Sequence, residues 1–324
     1  MQDKVKPESN AKEATYVGSD VCKERLDVAL HPQGLKLSVS NDAGGWRKLK
    51  RTLAAYQVER IVMESTSKYH RAAHRSLATS GFAVTIVNPL RSRFYARGIG
   101  QLAKTDQVDA AMLALMARES SLHVTAVLDK EIEDLKELVN ARTAAIDERT
   151  AITLRKGSVT VKLLKTALEK MIKHYDGLIE KLDAAIAALV QTVPALARKA
   201  EIITSIPGFG RVTSHIMVAA MSEIGLLGPK QLTALAGLAP FAHDSGPHAG
   251  KRRIESGRPL VRRALFMVAL VASRHNHDLK IFYQRLLKAG KAKKQALVAV
   301  ARKILILANT LVSEDRLWEK RHAA

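Results

Sequence analysis

The chain has 324 residues, 47% of them hydrophobic, enough to bury one large core or two to three modest ones, which excludes a wholly disordered polypeptide. Its 52 lysines and arginines against 31 acids leave a formal charge of +21, an excess that favours a polyanionic partner, nucleic acid foremost. The single cysteine, Cys22, excludes an internal disulfide framework and any cysteine-cluster zinc site, and 4% aromatic content argues against a base-stacking platform.

Residues 1–14 are polar and without periodicity, which predicts a disordered leader. No signal-peptide pattern opens the chain and no apolar run approaches the roughly 20 residues that span a bilayer, so a cytoplasmic protein with no membrane partner is expected. From Thr15 the short β-prone runs Tyr16–Asp20, Leu26–Leu30 and Leu35–Val39 predict three consecutive antiparallel strands. Helical spacing over Gly45–Tyr56, a strand at Arg60–Met63, a helix over Lys68–Thr79, a strand at Phe82–Val87 and a helix over Lys104–Arg118 follow. This order suits an α/β domain over residues 15–125 with a ribonuclease-H-like (RuvC-like) mixed sheet.

Residues 126–200 read as long helices: Glu131–Lys156 contains neither Gly nor Pro, and Gly157-Ser158 marks a turn. Beyond that turn, Leu164, Leu168, Met171, Tyr175, Leu178, Leu182, Ala185 and Leu189 alternate steps of four and three, the spacing of a coiled coil or of an ordinary amphipathic helix. Residues 201–324 form a third, mostly helical part. Between Phe241 and Lys294 it holds 13 Lys and Arg against the acids Asp244, Glu255 and Asp278. A basic run is usually a solvated face, but here it coincides with a glycine-rich loop, which favours phosphate contact.

Four acids carry the first chemical signal. Asp20 ends the first expected strand, Glu64 ends the fourth, and Asp106 and Asp109 lie three apart on one helix face. With strands one and four adjacent, the four carboxylates would converge. Such a cluster is unfavourable without cations, and Mg²⁺ held by oxygen ligands is the usual solution, with two ions serving phosphoryl transfer. Taken singly, Asp20 is better read as a turn residue, Glu64 as a surface acid and Thr105-Asp106 as a helix cap; it is the ordered set that points to a metal site.

Tyr16-Val-Gly-Ser-Asp20-Val-Cys-Lys23 with Leu26-Asp-Val28, Glu64-Ser-Thr-Ser-Lys-Tyr69, Asn88-Pro89 and Lys104-Thr-Asp106-Gln-Val-Asp109-Ala110 resemble the successive motifs of the DEDD transposase family named after insertion sequence 110. Ile206-Pro-Gly-Phe-Gly210, Ala236-Gly-Leu-Ala-Pro240, Ser245-Gly246, Gly250-Lys251 and Gly257-Arg258 with Leu260 and Arg262-Arg263 resemble its C-terminal signature. The resemblance covers about residues 15–310. Ser19, Cys22 and Ser67 depart from the residues common in the family and remove no proposed ligand.

The resemblance implies a ribonuclease-H-like domain binding Mg²⁺, or Mn²⁺ in its place, through Asp20, Glu64, Asp106 and Asp109. It also implies a coiled-coil insertion and a C-terminal domain in which Ser245 attacks DNA. The implied partners are donor and target duplex DNA and a structured guide RNA encoded by the element, while the heptad from Leu164 to Leu189 predicts a homodimer or tetramer once nucleic acid is bound.

A serine needs help to lose its proton, and the neighbours of Ser245 suit that task. Gly246, Gly250 and the cluster Lys251-Arg252-Arg253 bring amides and positive charge to a phosphate, with Arg258, Arg262 and Arg263 adding to the basic surface. Ser256, in Glu255-Ser256-Gly257, is a rival that spacing leaves open. Pro207, Gly208 and Gly210 are similar to a helix-hairpin-helix turn that grips a phosphate through backbone amides; a plain interhelical turn fits equally. Two other classes use the same residues differently: a junction-resolving nuclease needs the four acids but not Ser245, and a nucleic-acid scaffold needs only the basic surface.

Overall fold

A computed structural model describes residues 13–65, 67–101, 105–242, 250 and 252–319, without the side chains of Asp106 and Gln107. The chain divides into two compact units, the first ending at Val127 and the second beginning at Leu128.

In the first unit the strands are β1 (Ala14–Val21), β2 (Arg25–His31), β3 (Lys36–Ser40), β4 (Gln57–Glu64) and β5 (Val84–Val87). The helices are α1 (Ala43–Leu53), α2 (His70–Ala78), α3 (Pro89–Gly98) and α4 (Asp106–Glu119). Strand order is β3-β2-β1-β4-β5, antiparallel through β3, β2 and β1 and parallel from β1 to β4 and β5. The leader expected over 1–14 lies outside the described residues except for Glu13 and Ala14, and Ala14 already opens β1.

Alternation along the strands decides what each face carries. Val17 and Val21 of β1 and Ile61 and Met63 of β4 share one core with Leu49 and Leu53 of α1 and Ala73 and Leu77 of α2. Fully burying side chains of this size stabilises the fold by about 1.5–3 kcal/mol each. The opposite face carries Tyr16 and Val62, which pack with Met112, Leu113 and Met116 of α4. Gly18, Asp20 and Glu64 belong to this second face by the same alternation.

Helix α3 was not expected from the sequence. Its start is nevertheless encoded: the Asn88 side chain accepts a hydrogen bond from the Leu90 amide at 2.8 Å, and Pro89 occupies the first turn. The free edge of β5 is covered by an extended segment, in which the Thr125 amide donates to the Val84 carbonyl at 2.8 Å and the Thr125 hydroxyl accepts from the Ile86 amide at 2.9 Å.

The second unit contains α5 (Lys130–Ser158), α6 (Lys162–Thr192), α7 (Pro194–Ser205), α8 (Arg211–Ala220) and α9 (Pro229–Leu235). The two-residue strands β6 (Pro240–Phe241) and β7 (Arg253–Ile254) follow, then α10 (Pro259–His275), α11 (His277–Lys288) and α12 (Lys293–Ser313). The regions expected separately at 126–200 and 201–324 share one core here. Leu135 and Val139 of α5 and Ile186 and Val190 of α6 are buried with residues of α7, α8, α10 and α12. Helix α12 is long and apolar enough in composition to cross a membrane, but half of its most apolar stretch is buried, including Val300, Ala301, Ile304 and Leu305.

Helices α5 and α6 form an antiparallel hairpin in one register. Arg142 pairs with Asp183 at 2.5 Å, Arg149 with Asp176 at 2.8 Å and Lys156 with Glu169 at 2.8 Å. Each step advances seven residues on one helix and retreats seven on the other, so all three pairs repeat one contact geometry. Only part of the expected seam from Leu164 to Leu189 faces inward: Leu168 is buried and Leu189 packs against the core. Leu164, Met171 and Leu178 remain 48%, 45% and 37% exposed, while Leu168, Ile186 and Val190 are buried.

Candidate active site

The acids of the first unit are placed by strand register. Ser19 of β1 pairs with Met63 of β4, so Asp20 and Glu64 follow side by side at the ends of adjacent parallel strands and on the same face. Across the other edge of β1, Asp20 pairs with Asp27 of β2. Asp27 is buried and already engaged: it accepts from Arg25 Nε at 2.7 Å and from the Ser38 hydroxyl. The Val21 amide donates to Asp20 Oδ1 at 3.0 Å.

Helix α4 is drawn against β1 by the absence of a side chain at Gly18. A Cβ there would collide with the Ala110 carbonyl and with backbone atoms of Leu113 and Ala114. At the far end of the helix, Arg118 donates to His31 Nε2 at 2.7 Å, and His31 is the β2 partner of Tyr16 near the start of β1. The helix therefore runs antiparallel to β1, with its first turn over the strand end that carries Asp20. Asp106 opens that turn and Asp109 lies within it, capped by the Thr105 hydroxyl, which accepts from the Val108 amide at 3.3 Å.

Glu64 is held from a third direction. The buried Ser92 hydroxyl of α3 donates to Glu64 Oε2 at 2.6 Å, and the Glu64 backbone pairs with Val87 of β5. Ser92 is a site residue that sequence reasoning missed, because the contact joins positions 28 apart through a helix the sequence reading did not assign. The carboxylate-only donor set suits a hard cation such as Mg²⁺. Among the described residues no group of three acids, histidines or cysteines stands close enough to hold a metal ion, and the Asp106 side chain is outside that description.

In the second unit Ser245, Gly246 and Lys251 fall outside the described residues, in the segments between β6 and β7. The base of this β-hairpin is closed by two glycines. A Cβ on Gly257 (φ +82°) would collide with the Gly237 backbone, and one on Gly237 (φ +69°) would collide with the Ser256 carbonyl and the Arg262 guanidinium. Both also occupy left-handed backbone, which glycine adopts without a Cβ penalty. Ser256 is exposed with φ +61°, and its carbonyl accepts from Arg262 Nη1 at 2.9 Å. It thus forms part of the turn that closes the hairpin.

The expected basic residues divide by what they touch. Arg258 grips Glu223 through two hydrogen bonds of 2.6 and 2.7 Å and donates to the Ala220 carbonyl at 2.6 Å, tying the start of α10 to the end of α8. Burial would raise the Glu223 carboxyl, but the hydrogen bonds and charge of Arg258 outweigh it and hold the carboxyl below its ordinary value. Arg263 pairs with Asp147 of α5 at 2.8 Å. Arg252 and Arg253 are exposed on the β7 side of the hairpin.

The Ile206–Gly210 turn joins α7 to α8. Two of its amides are satisfied internally: Phe209 donates to the Ile206 carbonyl and Gly210 to the Thr213 hydroxyl, both at 3.0 Å. A side chain at Gly208 would collide with Ala272 of α10, so this glycine permits close helix packing. Pro207 stands half-buried in the same turn.

Comparison with known proteins agrees with this architecture. Residues 17–161 match a DEDD-type IS110 model described as a transposase, and residues 200–284 match the model described as Transposase IS116/IS110/IS902 family. The pilin gene-inverting protein of Moraxella bovis is 30% identical over 322 residues, covering 95% of this chain and 98% of that protein. Its counterpart in Moraxella lacunata is similar to the same extent. The insertion element IS110 uncharacterized 43.6 kDa protein of Streptomyces coelicolor is 26% identical over 183 residues, 56% of this chain and 44% of that protein. With both family models matched in order and a relative aligned over nearly its whole length, the chain belongs to the IS110 family of transposases, enzymes of DNA recombination.

Proposed function

We propose that this transposase cuts and rejoins DNA through a RuvC-like carboxylate centre in its first unit and a serine nucleophile, Ser245, in its second. The observation that carries the reading is the placement of Asp20 and Glu64 at adjacent strand ends beneath the first turn of α4, which bears Asp106 and Asp109. The Moraxella relatives are pilin gene-inverting proteins, and inversion of a gene is a rearrangement of DNA, which supports a DNA substrate here.

The reaction is a transesterification. Ser245 Oγ loses its proton and bonds to phosphorus, the bond from phosphorus to the leaving deoxyribose oxygen breaks, and that oxygen takes up a proton. The phosphoserine ester conserves the energy of the broken bond, so the incoming strand's hydroxyl can displace serine in a second, equivalent step. A divalent cation at the carboxylates, Mg²⁺ or Mn²⁺, would supply charge stabilisation at the phosphate. Ser92 fixes the Glu64 carboxylate, and the close contact at Gly18 holds α4 in place. A guide RNA, donor and target duplexes and a dimeric or tetrameric assembly complete the reading. The family resemblance and the charge of +21 support the RNA, and the exposed Leu164, Met171 and Leu178 of α6 support the assembly.

Supercoiled donor and target DNA, the element's RNA and Mg²⁺ incubated with wild type, Glu64→Gln and Ser245→Ala test the whole. Strand exchange by the wild type alone is the expected result. Exchange by either variant at the wild-type rate would contradict it.

A further inference from the structure

A groove of about 600 Å³ lies between the β6–β7 hairpin and the first half of α12. Its walls carry Arg252 and Arg253 from the hairpin side, Lys291 before α12, and Lys294 and Arg302 on the helix. Its floor is apolar and includes Leu238, Ile254, Val298 and Ala299. Among the described residues no acid lines it and none of the five cations forms an ion pair. Five cations around an apolar floor concentrate positive potential there, which favours an anion with a flat apolar part. Helix α12 begins without a side-chain cap, and Lys294 and Gln295 of its first turn line the groove.

We infer that this groove seats an unpaired nucleotide of the DNA strand being cut, its base against the apolar floor and its flanking phosphates at the five cations. This rests on the proposed serine chemistry, because Ser245 lies in the segment that joins β6 to β7, the two strands lining the groove. An unpaired strand fits better than a duplex. In a duplex the base faces are stacked and paired, and only phosphates would reach the rim, leaving the apolar floor without a partner.

The test is equilibrium binding of the full chain to a short fluorescein-labelled DNA single strand, by anisotropy across a salt series with EDTA present so that no cutting occurs. Lys291→Ala/Lys294→Ala/Arg302→Ala should weaken binding by at least about tenfold and lower the salt slope by about 2, because three phosphate contacts are lost. Ala299→Trp fills the floor without changing charge. It should weaken single-strand binding about tenfold and leave duplex binding unchanged. Unaltered single-strand affinity in both variants would overturn the assignment, as would equal loss of single-strand and duplex binding in Ala299→Trp. Tighter binding of an RNA strand of the same sequence, lost in the same variants, would give the groove to RNA and overturn the DNA assignment. Serine chemistry is read separately by the covalent adduct, so its failure leaves this measurement intact.

Discussion

Gly18 of β1 and Ala110 of α4 approach so closely that a methyl group at position 18 would occupy the space of the Ala110 carbonyl oxygen. That contact sets the height of α4 above the sheet and with it the position of Asp106 and Asp109 over Asp20. Gly18→Ala should therefore lower the melting temperature, as overpacking costs typically 1–3 kcal/mol, and reduce DNA cleavage about 100-fold because the carboxylates move apart. Gly177→Ala, in α6 with open space around its Cα, is the contrast. It should raise stability by up to about 1 kcal/mol and leave cleavage unchanged. Calorimetry and a cleavage time course on the two variants separate a packing role from a backbone one.

Ser92 is a positioning residue whose buried hydroxyl orients Glu64. Ser92→Ala should cut the cleavage rate about 10–100-fold and raise the Mg²⁺ concentration needed for half-maximal activity, as loss of a ligand's hydrogen-bond partner does. Ser92→Thr, which keeps a hydroxyl, should restore part of both. A rate loss with unchanged Mg²⁺ dependence would point to helix α3 packing instead.

The Arg258–Glu223 pair makes the second unit acid-sensitive. Glu223 has its carboxyl held below the ordinary value of 4.5, so its stabilisation is fully present above that value and is lost as pH falls through the folded pKa. Glu223→Gln should cost about 1.5–3 kcal/mol at neutral pH and flatten the decline of stability on acidification. Urea unfolding of the two proteins at neutral and acidic pH measures both effects.

The expected seam of α6 divides on the α5–α6 hairpin, with Leu168 buried and Leu164, Met171 and Leu178 exposed. Leu164→Gln/Met171→Gln/Leu178→Gln should leave the hairpin folded, since these side chains are exposed, but should dissociate the nucleoprotein assembly to smaller complexes. Multi-angle light scattering of the RNA- and DNA-bound protein gives the answer. An unchanged mass would place the assembly contacts elsewhere.

Much of the first unit was legible because its strands alternate cleanly and its acids fall at strand ends; Asp20 and Glu64 could be paired before any coordinates by placing strands one and four together. The height of α4 was not legible. A glycine in a strand signals a close approach without saying what approaches. Helix α3 escaped because only Asn88-Pro89 announced it, and with it went the link from Ser92 to Glu64. In the second unit, heptad spacing identified a helix but not the side of α6 that faces α5. The ion pairs that mark the register join Asp176 and Asp183 to arginines far away in sequence. Arg258 read as a DNA-facing cation, since nothing local reveals that Glu223 lies opposite it.

Covalent attachment of the protein to DNA tests the central claim most directly. Labelled substrate DNA is reacted with wild type, Ser245→Ala and Ser256→Ala in the presence of Mg²⁺ and the element's RNA, then resolved by denaturing electrophoresis. Wild type and Ser256→Ala should both yield a protein-retarded species, because Ser256 closes the hairpin turn through its carbonyl and a change to its side chain leaves that hydrogen bond in place. Ser245→Ala should yield none while still binding DNA. Persistence of the retarded species in Ser245→Ala together with its loss in Ser256→Ala would contradict the account and move the nucleophile to the base of the hairpin.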